Sequence, residues 1–278
     1  MARVASRGRA RRRLLLRGVD SGAVFLAIYH AMRRLALPLD RLKAFTLDAG
    51  GGDDLAQARR FLRELDLEMF LEPVEADPSD LDPAEAVRVV EDYKPLDVQS
   101  ATMALALLRG IRARYPEWRH IADGDGGDEN LKDYPIEENS ELTIRSVVSN
   151  PMLYQEGWGV GRLKHSLTFT GGQSRSCTRT YAPLRRFGFE GFSPFMSPRL
   201  VAVAEAIPFD ALTRGDVARL YALKGEVVAR GMLAVTGLKM PVFPKRRFQH
   251  GAAPAAVVGE RLGESEGAYR ARWLSQYA

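Results

Sequence analysis

Short apolar runs alternate with helix-length stretches along the first half of the chain, and this order limits the possible folds more than any other feature. Leu14–Leu16 is apolar and ends at Gly18, and a stretch rich in Ala, Leu, Ile and Met follows over residues 21–35. Lys43–Leu47 reads as a second strand and runs into the turn Asp48-Ala-Gly-Gly-Gly-Asp. Leu55, Ala58, Leu62 and Leu65 then recur at helical spacing. Met69–Leu71 reads as a third strand. Residues 98–114 read as a helix with Met103, Leu107 and Ile111 on one face, and His120–Ala122 as a strand entering an acidic, Gly-rich loop. Parallel strands need long crossovers, which helices supply, so this βαβα order predicts an α/β fold: a parallel sheet with helices on both faces.

The second half reads as helical patches over 142–148, 200–206 and 217–230 around a loop-rich middle, 157–198. No repeat and no Pro/Ser-rich linker separates the halves. The expected organisation is a basic arm over 1–13, an α/β core over 14–140, and a mainly helical half of the same compact body over 141–278.

Composition removes several classes of protein. With 46% apolar and 27% charged residues, 278 residues can bury a sizeable core, which excludes global disorder. The single cysteine, Cys177, excludes an intramolecular disulfide and a Cys-rich zinc site. The histidines, at 30, 120, 165 and 250, lack metalloprotease spacing. The longest apolar run, residues 23–28, falls far short of the ~18 residues that suggest a membrane span, so a cytoplasmic protein is expected. The net charge of +5 is local: residues 1–17 carry seven arginines and no acid, and without them 33 basic residues face 35 acidic ones. The arm reads as a solvated tail. The near-neutral body lacks the basic face that RNA binding needs, so nucleic acid is not an expected partner.

Ligands of parallel α/β sheets bind beyond the C-terminal ends of the strands, where two loops stand out. In Arg17-Gly18-Val19-Asp20-Ser21-Gly22, glycine lets the backbone approach a phosphate, and the following helix N-terminus offers N–H donors. Ser21 can add a hydroxyl donor; an ordinary helix cap is the alternative. Asp20 would repel phosphate unless a cation bridged them, which points to Mg²⁺. The second loop is Asp123-Gly-Asp125-Gly-Gly-Asp128-Glu129-Asn130. It is not an EF-hand, because Gly127 occupies a ligand position and Asp128 stands where glycine is required. A solvated turn is its plain reading. Together the loops fit a Mg–nucleotide site better, with Asp20 and Asp128 as oxygen ligands. The chain has no Walker-type G-x-x-x-x-G-K-[ST].

G-D-G-G-D-E-N-L-K-D-Y over 124–134 resembles the second signature of the asparagine synthetase C-terminal (synthetase) domain family. That signature has a Gly-acid-Gly-x-Asp-Glu core and a Tyr five residues beyond the Glu, here Tyr134. Gly18-Val-Asp20-Ser21 resembles the end of the family's S-G-G-x-D-S pyrophosphatase loop. Gly188-Phe-Glu190 and Pro194-Phe195 resemble its G-L-E…P-F segment, and Pro244-Lys245-Arg-Arg-Phe248 its late Lys-x-x-Phe segment. The resemblance implies an adenine-nucleotide α-hydrolase-like fold, with 14–140 binding ATP and 141–278 binding substrate. It also implies an ATP-dependent amide-forming ligase. A carboxylate attacks the ATP α-phosphate to give an acyl-adenylate and pyrophosphate, and an amine or ammonia then forms the amide. By the same resemblance Asp20 and Asp128 hold Mg²⁺, and Gly18, Val19 and Ser21 cradle the phosphates. Leu47, Asp123 and Gly124 lie near the nucleotide. Asp125 stands at the catalytic Glu position, and Lys245 at the lysine that stabilises phosphate charge.

Departures from the pattern sharpen the expectation. Leu16-Arg17 replaces Ser-Gly in the first loop. This removes a hydroxyl donor worth ~1.5–3 kcal/mol, although Arg17 can contact phosphate itself. It motivates a second reading, a catalytically impaired nucleotide-binding protein. Phe192 and Ser197 stand where the family has Arg and Asp, which argues against aspartate as the substrate. Ala2 stands where a glutaminase domain has its nucleophilic Cys. Nitrogen is therefore expected from ammonia, from an amine substrate or from a separate amidotransferase partner. A third reading, an RNA-modifying pyrophosphatase-loop enzyme, is suggested by the arm and opposed by the near-neutral body. Gly50–Gly52 either borders the adenosine or is a plain turn. Tyr154, Trp158, Phe169, Phe187, Phe189 and Phe192 either line a substrate pocket or pack the interior. Ser174, Arg175, Ser176, Thr178 and Arg179 form a polar cluster that can grip an anion or lie on the surface, and Cys177 reads as a small hydrophobe.

Overall fold

The structure, a computed structural model, describes residues 14–15, 18–133, 143–149, 177–243, 251–276 and 278. The first half alternates β1 (Leu14–Leu15), α1 (Val19–Arg34), β2 (Ala44–Asp48), α2 (Asp54–Arg63) and β3 (Leu71–Glu75). Then come α3 (Pro83–Val90), α4 (Pro95–Arg114), β4 (His120–Ala122), α5 (Gly127–Leu131) and α6 (Ile144–Ser149). A π-helical turn, Cys177–Tyr181, leads into α7 (Ala182–Arg186) and β5 (Glu190–Phe192). Helices α8 (Pro198–Glu205), α9 (Phe209–Thr213), α10 (Val217–Thr236), α11 (Ala255–Leu262) and α12 (Glu266–Leu274) follow.

The strands form one sheet in the order β3-β2-β1-β4-β5, with every neighbouring pair parallel. Successive side chains of a strand point to opposite faces. Accordingly Ala44 joins a core with Phe25, Leu26, Phe61 and Leu62 from α1 and α2, and with Leu220 and Leu223 from α10. Phe45 and Leu47 join the core of the other face, with Met103, Leu107 and Ile111 of α4, Trp118, and Val258 of α11. Ala44, Phe45, Thr46 and Leu47 are all buried, as expected for a strand covered on both sides. The α/β architecture expected from the sequence is the one observed.

Two strands differ from expectation. The third lies later than Met69–Leu71: Glu68–Phe70 forms a 3₁₀ turn that exposes Met69, and the strand is Leu71–Glu75. It sits at the sheet edge, where Pro73 costs no interior hydrogen bond. The fifth strand, β5, comes from the 141–278 half, so the sheet extends beyond the 14–140 stretch. Arg112 of α4 holds β5 in place. It donates to the carbonyls of Phe187 and Trp118 and lies over the Phe189 ring at 3.8 Å. Phe187 and Phe189 thus pack the interior rather than line a pocket. Among the described residues, no helix is long and apolar enough to cross a membrane.

The strand order fixes where a ligand can sit. From β1 the chain builds outward through β2 and β3, then returns to add β4 and β5 on the other side. The reversal falls between β1 and β4, and the crevice beyond their C-terminal ends is the natural ligand position.

Candidate functional site at the switch point

Both motif loops end in this crevice and are pressed together. A Cβ on Gly124 would lie 2.6 Å from the Ser21 nitrogen and 2.7 Å from Asp20 Cβ, and one on Gly127 would lie 2.3 Å from Asp20 Cγ. Gly126 between them has φ of 88°, a left-handed conformation that disfavours any side chain. The glycines of the second loop therefore let it close over the Asp20 carboxylate.

Asp20 lies in the first turn of α1 and Asp128 in the first turn of α5. Their carboxylates converge on one cation, and that cation is a side chain. Lys224 of α10 donates from Nζ to Asp20 Oδ2 at 2.6 Å, to Asp128 Oδ1, and to Asp133 Oδ2 at 3.2 Å. The side chain of Lys224 is 5% exposed, that of Asp20 17% and that of Asp128 35%, so the cluster opens to solvent at Asp128. Burial pushes the Asp20 carboxyl up, to about 7; Lys224 opposes the shift, while Asp128 and Asp133 add to it. Burial works against the charge of Lys224, but Asp128, Asp20 and Asp133 outweigh it and hold the ammonium well above the ordinary lysine range.

Neither Lys224 nor Asp133 is singled out by the sequence reading. Asp133 lay inside the quoted 124–134 motif. Lys224 was legible in principle: it follows Leu223 and sits four residues from both Leu220 and Val228, all buried, and so falls on the core face of an amphipathic helix.

The other expected site residues take mixed positions. Gly18 is exposed, and a Cβ there would meet nothing within 4 Å, so the space beside it is open. Gly18 and Val19, with Gln57, Phe61, Pro241 and Phe243, line a small, shallow cleft. Ser21 is buried and accepts from the Gly18 N–H at 3.0 Å, which is the capping geometry. Asp123 is buried; its Oδ1 accepts from Ser193 Oγ at 2.5 Å, and Ser193 Oγ accepts from the Tyr181 hydroxyl at 2.8 Å. Asp125 Oδ2 accepts from Thr180 Oγ1 at 2.6 Å. Leu47 is 1% exposed, with its side chain in the core and its strand paired to β3. Arg179 pairs with Asp97 of α4. Leu16, Arg17, Tyr134, Tyr154, Trp158, Phe169, Ser174, Arg175, Ser176, Pro244, Lys245 and Phe248 lie outside the described residues, as do the side chains of Cys177 and Thr178.

The donor set suits a hard divalent cation in part. Asp20 and Asp128 offer carboxylate oxygens to one position, and Asp20 Oδ1 is buried without a hydrogen-bond partner. Among the described residues, no three His, Cys, Asp or Glu side chains form a metal-holding group. Mg²⁺ in general takes one or two carboxylates and fills its octahedron with substrate phosphates and water.

No curated protein matches the chain. The family model for asparagine synthase matches residues 15–180, which span both loops of the crevice and end before Gly188–Glu190, Pro194-Phe195 and Lys245. The chain thus belongs to the asparagine synthase family, whose shared chemistry is that of ATP-using synthetases.

Proposed function

We propose that the protein is an ATP-dependent amide-forming ligase acting on a carboxylate other than aspartate. The observation that carries this reading is the convergence of Asp20 and Asp128 on one cation position at the switch point, beside the open space at Gly18. Mg²⁺ held there with ATP would neutralise charge on the departing pyrophosphate. The substrate carboxylate oxygen attacks the α-phosphorus, and the bond to pyrophosphate breaks. An amine or ammonia nitrogen then attacks the acyl carbon, and AMP leaves with the electron pair of the broken C–O bond.

The chain's own residues divide this work. The Gly18–Val19 backbone and the N-terminus of α1 face the phosphates. The Tyr181–Ser193–Asp123 chain and the Thr180–Asp125 bond fix the floor of the β4 loop, so its carboxylates are set before substrate arrives. Lys245 supplies positive charge to the leaving group by resemblance alone. Phe192 is 55% exposed at the C-terminal end of β5, and its carbonyl accepts from the Asp123 N–H at 3.1 Å. An exposed ring where the family carries Arg favours an apolar or aromatic carboxylate. Ser197, where the family carries Asp, caps α8 by accepting from the Leu200 N–H at 3.4 Å. Nitrogen comes from ammonia, an amine substrate or a separate amidotransferase, in the cytoplasm, with no nucleic acid involved.

ATP–pyrophosphate exchange over a panel of carboxylates tests the reading. Exchange with apolar or aromatic acids and silence with aspartate is the expected pattern. Mg–ATP binding without exchange for any acid would favour the impaired nucleotide-binding protein suggested by Leu16-Arg17.

A further inference from the structure

The ligase reading gives Lys224 no task, yet its side chain is more deeply buried than any of the three carboxylates it bonds. Three carboxylates converge on that one ammonium. The ammonium also stands where a metal would. Carboxylate oxygens hold an ammonium at ~2.7–2.9 Å and Mg²⁺ at ~2.0–2.1 Å. An Nζ at 2.6 Å from Asp20 Oδ2 therefore lies within the space that a metal and its waters require.

We infer that Lys224 is a resident counter-ion which the metal displaces, so that divalent cation and nucleotide bind Asp20 and Asp128 together rather than one by one. The inference rests on the ligase reading, which supplies both metal and nucleotide. Displacement leaves Lys224 tethered to Asp133, the longest of its three bonds. A metal arriving alone strips two partners from a buried ammonium and gives it nothing in return. A metal arriving with a triphosphate brings phosphate oxygens that take the freed ammonium. The helix that carries Lys224, α10, packs directly on α1, which carries Asp20. Lys224 is on this account a positioning residue that makes metal binding conditional on nucleotide.

The test is Mn²⁺ affinity, read by electron paramagnetic resonance of free Mn²⁺, with and without a non-hydrolysable ATP analogue, each titration corrected for the Mn²⁺ that the analogue chelates in protein-free solution. In the wild type the analogue should tighten Mn²⁺ binding tenfold or more. In Lys224→Met, Mn²⁺ alone should bind at least tenfold tighter than to the wild type, and Mn²⁺ should raise the unfolding temperature of the variant more than that of the wild type. Should Lys224→Met fail to fold, Lys224→Met/Asp133→Asn removes one of the carboxylates that Lys224 bonds and keeps the comparison. Wild-type protein that binds Mn²⁺ equally well with and without the analogue overturns the inference without any variant. Cooperative Mn²⁺–nucleotide binding by the wild type, joined to unchanged Mn²⁺ affinity in a folded variant, overturns the role of Lys224 and leaves the ligase reading standing. Wild type that binds neither Mn²⁺ nor nucleotide, separately or together, overturns both.

Discussion

Two loops of this protein are built from nearly the same residues and do different things. Asp48-Ala-Gly-Gly-Gly-Asp-Asp follows β2, and Asp123-Gly-Asp-Gly-Gly-Asp-Glu follows β4. In the first, Asp48 Oδ1 accepts from the Gly51 N–H at 2.8 Å, and Ala49 donates to the Ala252 carbonyl at 2.8 Å. A Cβ on Gly52 would lie 2.1 Å from the Gly251 carbonyl oxygen. The C-terminal segment thus lies across this loop, and its glycines serve a turn and a close approach. In the second, the glycines close on Asp20, and Asp128 bonds a buried ammonium. Composition does not separate the two. Position does: only the β4 loop borders the point where the strand order reverses.

Substitutions in both loops can break this contrast. Gly127→Ala should have the largest effect, because its methyl group displaces the Asp20 carboxylate. Mg–ATP affinity should fall roughly 100-fold by calorimetry, with ~1–3 kcal/mol of stability lost to overpacking. If Gly127→Ala binds Mg–ATP normally, Asp20 is not part of the site. Asp128→Asn should weaken Mg–ATP binding about 10-fold or more, the scale of one charge-assisted bond. Asp48→Asn should leave it within about twofold, and equal losses in the two variants would erase the distinction between the loops.

The buried charge on the β4 side should also show in the pH dependence of stability. Asp20 rises from 3.8 to about 7 on folding. Between those values the folded protein holds a proton that the unfolded chain has released, so this group's contribution falls as pH rises through the window. Asp20→Asn should remove a slope of up to about 1.4 kcal/mol per pH unit from denaturant midpoints compared between acid and neutral pH. Parallel profiles for the two proteins would place the Asp20 charge in solvent. The smallest effect belongs to Gly51→Ala. At φ of 95° and with open space around its Cβ, it should cost about 1–2 kcal/mol in chemical denaturation and leave Mg–ATP affinity untouched.

Much of the frame was legible because its signals were periodic. Apolar spacing marked α2 and α4, apolar composition marked α1, and short apolar runs marked β2 and β4, all of them elements that bury a face. The edge strands were harder to read. β3 carries Pro73 and two acids, and β5 is Glu-Gly-Phe with every residue exposed, so neither shows the alternation of a half-buried strand. In the crevice, Asp20 and Asp128 stood out because acids beside glycines at strand ends are chemically conspicuous. Lys224 did not, because a lysine in a helix ordinarily reads as solvent-facing, and the contact it makes spans 204 residues of sequence.

That span has a consequence for how the protein comes into being at the ribosome. The three carboxylates of the crevice are all made by residue 133, and β4 waits for a neighbour at 190–192. Their neutralising ammonium arrives only with residue 224, on the helix that also covers α1. Contacts this distant in sequence close late and slowly. A nascent chain that has passed β4 but not α10 therefore carries crowded negative charge beside an uncovered apolar helix face. In that interval the crevice can hold neither its internal ion pair nor its shape, so the last third of the protein completes a site whose two motif loops were both synthesised in the first half.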